Sequence, residues 1–310
     1  MEMRYLPSPA CSFSIAHPNN QKRKIMSDWL LVHLEKQARH FKNIKLLFRF
    51  FFLKNLTKTP FIDFQCNICG YDVSAPMAVA KNREASSCYR CGSNRRFRTI
   101  IAILTKEITG ETTTLPKLNY DGKITGLGMS DAEIYARPLS KKVTYTNTFY
   151  HKEPKLDITT IKQSQFNSAD FIITSDVFEH IPPPIEHSFE NLYKILKKGG
   201  LCIFSVPYHK NGTTQEHFPE LYDYKIIKKN GRQILVNITK KGERQEFNNL
   251  RFHGGPGATL EMRFFTETSL LANLQDAGFS NIQFHRTNIP EFGIIVEEES
   301  PSLIISMHKE

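Results

Sequence analysis

The clearest patterning of apolar and polar positions lies between residues 121 and 207. A short apolar run, Phe171-Ile-Ile-Thr174, gives way to polar Ser175 and Asp176. Such a run reads as a buried parallel strand whose C-terminal end opens onto a site. Phe189, Leu192, Ile195 and Leu196 then recur at helical spacing and predict an amphipathic helix. Gly199 and Gly200 follow as its stop, and residues 201–206 read as the next buried strand. Strand, helix and strand joined by short turns form a right-handed crossover unit. Upstream, Lys123-Ile-Thr-Gly126-Leu-Gly128-Met-Ser130-Asp131 has the form of a first strand with its glycine turn, and residues 142–146 form a second.

The flanks carry weaker patterns. Residues 1–25 show little periodicity. A helix is expected from Ser27, with Leu30, Leu34, Phe41, Ile44, Phe48 and Phe51 on one stripe and Lys36, Arg39, Lys42, Lys45 and Arg49 largely off it. The stripe is expected to pack on the rest of the protein, with membrane contact as the lesser alternative. Residues 100–108 predict a further helix. Asn230-Gly231 between two strand-like runs predicts a hairpin. A helix over 269–277, capped by Gly278, and strands over 281–286 and 303–308 complete the pattern.

Composition narrows the class. With 310 residues, 40% hydrophobic and 23% charged, the chain suits one large soluble domain with an appendage. The net charge of +10 suits an anionic partner without choosing one. The excess gathers in residues 1–65, which hold eleven Lys/Arg and four Asp/Glu. The best apolar run, residues 46–53, is short and contains Arg49, so no bilayer span is expected. The start of the chain does not order its charges as a signal peptide does, and a cytoplasmic protein is expected.

Four cysteines change the picture. Cys66-Asn-Ile-Cys69-Gly and Cys88-Tyr-Arg-Cys91-Gly are two C-x2-C knuckles separated by eighteen residues. That spacing can place four thiolates around one Zn²⁺, a closed and therefore structural ribbon. Gly70 and Gly92 stand where tight knuckles need positive φ. Arg90, Arg95, Arg96 and Arg98 cluster at the second knuckle, to grip a phosphate or to dock the ribbon on an acidic face of the main domain.

The strand ending Ser175-Asp176-Val-Phe-Glu179-His180-Ile, followed by a helix ending Leu196-Lys-Lys-Gly-Gly200 and another strand, resembles the class I S-adenosylmethionine-dependent methyltransferases. The resemblance covers about residues 100–310. It implies an α/β fold with a Rossmann-like seven-stranded sheet, preceded by the basic helical segment 1–60 and the zinc ribbon 61–99. It also implies that S-adenosylmethionine lies against Gly126, Gly128, Asn147, Asp157 and Asp176. Ser130 replaces the family's third glycine, and Asn147 replaces its ribose-binding acid.

The long stretch 207–266 follows the fifth strand and would cap the cofactor mouth. His253, Glu261 and Arg263 are its candidate contacts to a small polar acceptor, such as a sugar or a saccharide precursor. A base for the acceptor's proton is expected from His180, His209, His217 or His253. Two other readings stand beside this one: an RNA methyltransferase gripping RNA through its basic ribbon, and an inactive methyltransferase-like scaffold.

Overall fold

A computed structural model describes residues 41–120, 122–253, 259–297, 300 and 302–310. The chain divides into two compact units, residues 1–49 and 50–310. Residues 41–56 are helical (α1). Phe41, Phe48 and Phe51 are 63%, 57% and 60% exposed, whereas Phe50 is buried. Within residues 50–310, Phe51 of the stripe is exposed while Phe50, off the stripe, is buried. Each helical residue turns by about 100°, so an inward Phe50 carries Phe51 outward. Ser27, Leu30, Leu34, Lys36 and Arg39 lie outside the described residues.

Within residues 50–310, the ribbon begins with an antiparallel pair, β1 (Phe61–Gln65) and β2 (Asp72–Pro76), followed by α2 (Met77–Lys81). Helix α3 (Arg95–Thr109) starts earlier than the periodicity suggested. Asn94 caps it by accepting from the Phe97 amide at 2.9 Å. The main sheet then takes β3 (Thr125–Met129), α4 (Glu133–Leu139), β4 (Thr144–Thr148), β5 (Ala169–Ser175), α5 (Glu186–Ile195) and β6 (Leu196–Ser205).

The insertion runs through β7 (Tyr208–His209), β8 (Gln215–Glu216), β9 (Asp223–Lys229), β10 (Arg232–Ile238), β11 (Arg244–Phe247), β12 (Phe252–His253) and β13 (Thr259–Leu260). Asn230 and Gly231 turn the β9–β10 hairpin with φ of 52° and 77°, as that dipeptide requires. Then come β14 (Arg263–Thr266), α6 (Glu267–Asp276), β15 (Ser280–Phe284) and β16 (Ile305–His308).

The main sheet has the order β15-β16-β6-β5-β3-β4. Strands β4, β3, β5 and β6 are parallel, and β16 and β15 close the edge antiparallel. This is the Rossmann-like methyltransferase arrangement, with six strands among the described residues rather than the expected seven. After β4 the chain turns back, and Phe149 bridges Lys155. Asp157 then accepts from the Thr159 amide at 3.0 Å, which commits the segment to a turn instead of a ladder.

Gly199 and Gly200 do not stop α5. The helix ends at Ile195 and β6 begins at Leu196, so both glycines lie inside the strand. Pairing decides this: the Gly199 amide donates to Lys309 at 2.6 Å, and the Lys309 amide donates to Gly200 at 3.0 Å. The apolar stripe of α5 is buried as expected. Phe189 meets Phe178 and Phe204 with ring centroids 4.8 Å apart for Phe178–Phe189 and 5.1 Å for Phe178–Phe204. Each fully buried side chain of this kind contributes about 1.5–3 kcal/mol. This packing fixes the loop after β5, where Glu179 and His180 sit.

Candidate active site

Cys66, Cys69, Cys88 and Cys91 bring their sulfurs within 4.8 Å of one another. Cys66–Cys91 and Cys69–Cys88 are each 3.7 Å apart. Four thiolates bound at about 2.3 Å to one Zn²⁺ would stand about 3.8 Å apart, so this cradle fits the ion. Gly70 and Gly92 take φ of 79° and 82°.

The arginines near the second knuckle dock the ribbon. Arg98, fully buried, donates to the carbonyls of Phe292 at 2.8 Å and Gly293 at 2.9 Å, and to the Ser87 hydroxyl at 2.8 Å. Arg95 donates to the Ile295 carbonyl and the Ser300 hydroxyl. Their partners are carbonyls and hydroxyls, not an acidic face. Arg90 lies over the Tyr71 ring.

Arg96 instead reaches the end of β5, donating to Ser175 Oγ at 2.6 Å and lying 3.1 Å from Asp176 Oδ2. Arg83, from the loop between the knuckles, donates to both Asp176 oxygens at 2.7 and 3.1 Å. Burial pushes Asp176 upward, but Arg83 and Arg96 outweigh it and hold the carboxyl below its ordinary value. No pattern in the sequence singled out Arg83, which is distant in the chain from its partner.

The ends of β3 and β4 differ in detail from the expectation. Gly126 and Gly128 lie within β3, not in the turn beyond it. A Cβ at Gly126 would overlap the Phe171 ring, and one at Gly128 would overlap the Tyr145 hydroxyl. These glycines therefore make room for two stacked rings, whose centroids are 5.9 Å apart. The turn itself is made by Ser130, at φ 58°, in the conformation a third glycine would favour.

Asn147 holds that turn in both directions. Its Oδ1 accepts from the Asp131 amide, and its Nδ2 donates to the Asp131 carbonyl, each at 2.9 Å. Tyr145 donates its hydroxyl to Asp131. Burial raises the Asp131 carboxyl to about 7 in spite of that bond. Asp131 Oδ1, Tyr135 Oη and Arg96 Nε are buried here without a well-formed hydrogen bond, although Tyr135 lies close enough to Asp131 to act on its carboxyl.

A second polar group lies just past β5. Three of the four candidate histidines converge there, together with two glutamates. His253 Nε2 and His217 Nε2 each lie 2.8 Å from a Glu261 oxygen. His180 and His253 meet edge to face at 4.9 Å. Glu179 is fully buried beside both. Burial raises its pKa, while Glu179, ahead of Glu261, raises that of His253.

His209 is not brought to this group. Its ring packs on Phe264 at 4.3 Å between centroids. Arg263 is also elsewhere than expected. It is fully buried, bonding to the carbonyls of Phe178 and Ile181 and to Glu216, and so braces the loop under Glu179. Gly254, Gly255, Pro256 and Gly257 lie outside the described residues. No helix among the described residues is long and apolar enough to cross a membrane.

Comparison with known proteins bears on this arrangement. A family model described as a methyltransferase domain matches residues 52–284. The chain belongs to that methyltransferase family. The match takes in the ribbon, the insertion and every strand of the main sheet except β16. No curated protein matches the chain in sequence.

Solved structures similar to this methyltransferase are distant. The 1,6-didemethyltoxoflavin-N1-methyltransferase of Burkholderia thailandensis is 13% identical, covering 60% of this chain and 71% of that one, with a TM-score of 0.35. An S-adenosylmethionine-dependent methyltransferase from Clostridium acetobutylicum is also 13% identical, over 60% and 83%, at 0.36. The sugar N-methyltransferase KedS8 from Streptoalloteichus is 9% identical, over 68% and 85%, at 0.38.

Proposed function

We propose that this methyltransferase transfers the methyl group of S-adenosylmethionine to a small polar acceptor such as a sugar, and that its ribbon carries one structural Zn²⁺. The observation that carries the reading is the His180–His217–His253 group with Glu179 and Glu261. It follows directly on β5, and residues of the insertion complete it. Open parallel sheets bind ligands at the C-terminal ends of their strands.

Two of these atoms, Arg96 Nε beside the end of β5 and Asp131 Oδ1 after β3, fit the cofactor's amino-acid end. Arg96 would take its carboxylate and Asp131 its ammonium, each partner supplying what the other residue lacks. Asp176, at the end of β5, and Asp157, in the turn that follows β4, stay with the cofactor in this reading. Gly126, Gly128 and Asn147 contribute by shaping β3 and its turn. When bound, S-adenosylmethionine supplies an electrophilic sulfonium methyl. The protein then aligns the acceptor, excludes water and handles the acceptor's proton. Residues 207–266 form the acceptor cap in this reading, within a methyltransferase domain of residues 100–310.

The test is transfer of isotope-labelled methyl from S-adenosylmethionine into a host extract separated into small saccharides and RNA. The reading expects label in the saccharide fraction. Label in RNA would transfer the assignment to an RNA acceptor, and no label in either would contradict it.

A further inference from the structure

We infer that Glu179, His180 and His253 bind one divalent cation, and that this cation receives a hydroxyl of the acceptor. The inference rests on the methyl-transfer reading for its acceptor, and on geometry alone for the cation.

Glu179 is fully buried, and neither of its carboxylate oxygens has a hydrogen-bond partner. A buried carboxylate left in that state is costly, and such groups are normally paired or bound to metal. Two ring nitrogens face one of its oxygens, Oε1. His180 Nε2 is 3.6 Å away and His253 Nδ1 3.7 Å away, both too far for a hydrogen bond. Ligands bound to one cation at about 2.1 Å stand about 3.0–3.4 Å apart. Both nitrogens are close to that distance from Oε1, and the three ligand atoms all lie within 4.8 Å of one another.

The opposite ring nitrogens explain why these two face inward. His180 Nδ1 lies 2.9 Å from the Leu260 carbonyl, which can only accept. That nitrogen therefore carries the proton and leaves a lone pair on Nε2. His253 Nε2 lies 2.8 Å from Glu261 Oε2, which leaves the Nδ1 lone pair toward Glu179. Glu261 is itself buried and held by His217 at 2.8 Å. A metal-binding histidine usually gives its second nitrogen to a carbonyl or carboxylate in this manner, and both arrangements occur here.

Three protein ligands leave coordination positions open, the mark of a catalytic site rather than a structural one. His253 is 38% exposed on its side chain, so the open side reaches solvent. One carboxylate with two imidazoles suits Mn²⁺, Fe²⁺, Co²⁺ or Zn²⁺. A hydroxyl held there gives its proton to solvent more readily. Its oxygen then forms the new C–O bond as the S–CH₃ bond breaks. Sulfur keeps that electron pair, becoming a neutral thioether, and one proton is released per turnover.

The probe is Mn²⁺, added to the full chain with its thiolate site already filled by zinc. Binding is followed by the paramagnetic resonance of free Mn²⁺ and by water-proton relaxation. We expect one Mn²⁺ per chain with exchangeable water on it, and a loss of affinity of at least about tenfold in Glu179→Gln and in His253→Ala. His209→Ala, outside the group, should bind as the parent does. Absence of binding at millimolar Mn²⁺, or unchanged affinity in both variants, would overturn the site. Bound Mn²⁺ without exchangeable water would overturn its role toward the acceptor. Calorimetry with S-adenosylhomocysteine on the same samples separates the two readings, since a failure of the methyl-transfer reading removes that signal and leaves the Mn²⁺ count intact.

Discussion

Arg83 and Asp176 form a two-point ion pair, with Nη2 to Oδ1 at 2.7 Å and Nη1 to Oδ2 at 3.1 Å. One partner lies between the cysteine knuckles, and the other ends a central strand of the sheet. Both are largely buried, with side-chain exposures of 15% and 21%, so the pair is worth more than a surface bridge. The segment between the knuckles is thereby part of the wall at the strand ends, and under the proposed function its integrity should bear on cofactor binding.

The first prediction concerns that coupling. Elemental analysis of the purified chain should find one zinc. Cys88→Ala should destabilise the fold by at least about 4 kcal/mol, as loss of a bound metal does. It should also weaken S-adenosylhomocysteine, because Arg83 and Arg96 lose their footing. A zinc-free protein with unchanged stability in the variant would refute the coupling.

Arg98 supplies the second. Arg98→Ala leaves the buried carbonyls of Phe292 and Gly293 without their donor. Each buried group left unsatisfied costs about 1–3 kcal/mol, so urea denaturation should show a loss of about 3 kcal/mol or more. A loss under about 1 kcal/mol would mean that the docking bonds contribute little.

Much of the fold was legible in the sequence, and the reasons are local. The apolar run at Phe171 and the helical stripe of Phe189, Leu192 and Ile195 each obey one period, so strand β5 and helix α5 could be read directly. The Asn230-Gly231 turn and the two knuckles are equally local signals. What escaped depends on distant partners. The LKKGG segment became strand because Lys309 pairs with it. Gly126 and Gly128 resemble a cofactor turn until the rings of Phe171 and Tyr145 are seen to occupy the space beside them. His180 and His253 both stood out as histidines, but nothing along the chain told that Leu260 and Glu261 would orient them toward Glu179.

The third prediction is a pH dependence. Burial raises Asp131 to about 7 from an ordinary value of 3.8. The folded chain therefore keeps a proton that the unfolded chain releases above pH 4. Its stabilising effect is full below pH 4 and is lost as the pH rises to about 7. Stability of the cofactor-free protein should fall across that window, by at most about 4 kcal/mol. Asp131→Asn should flatten this slope while weakening S-adenosylhomocysteine. Denaturation curves at pH 5 and pH 8 check the first effect, and calorimetry checks the second.

The fourth addresses the β3 glycines. Gly128→Ala drives a methyl group into the Tyr145 hydroxyl, and overpacking of this kind costs about 1–3 kcal/mol. The double variant with Tyr145→Ala should lose less than the sum of the single losses. Strict additivity would show that Gly128 does not serve to seat Tyr145.

The central claim is that the strand ends of this sheet bind the methyl donor through Arg96 and Asp131. Calorimetric titration of the zinc-loaded chain with S-adenosylhomocysteine tests it most directly. The account predicts one site per chain, weakened at least about tenfold in Arg96→Ala, a loss of about 1.4 kcal/mol or more. No binding to the parent chain at millimolar ligand, or equal affinity in parent and variant, would contradict it.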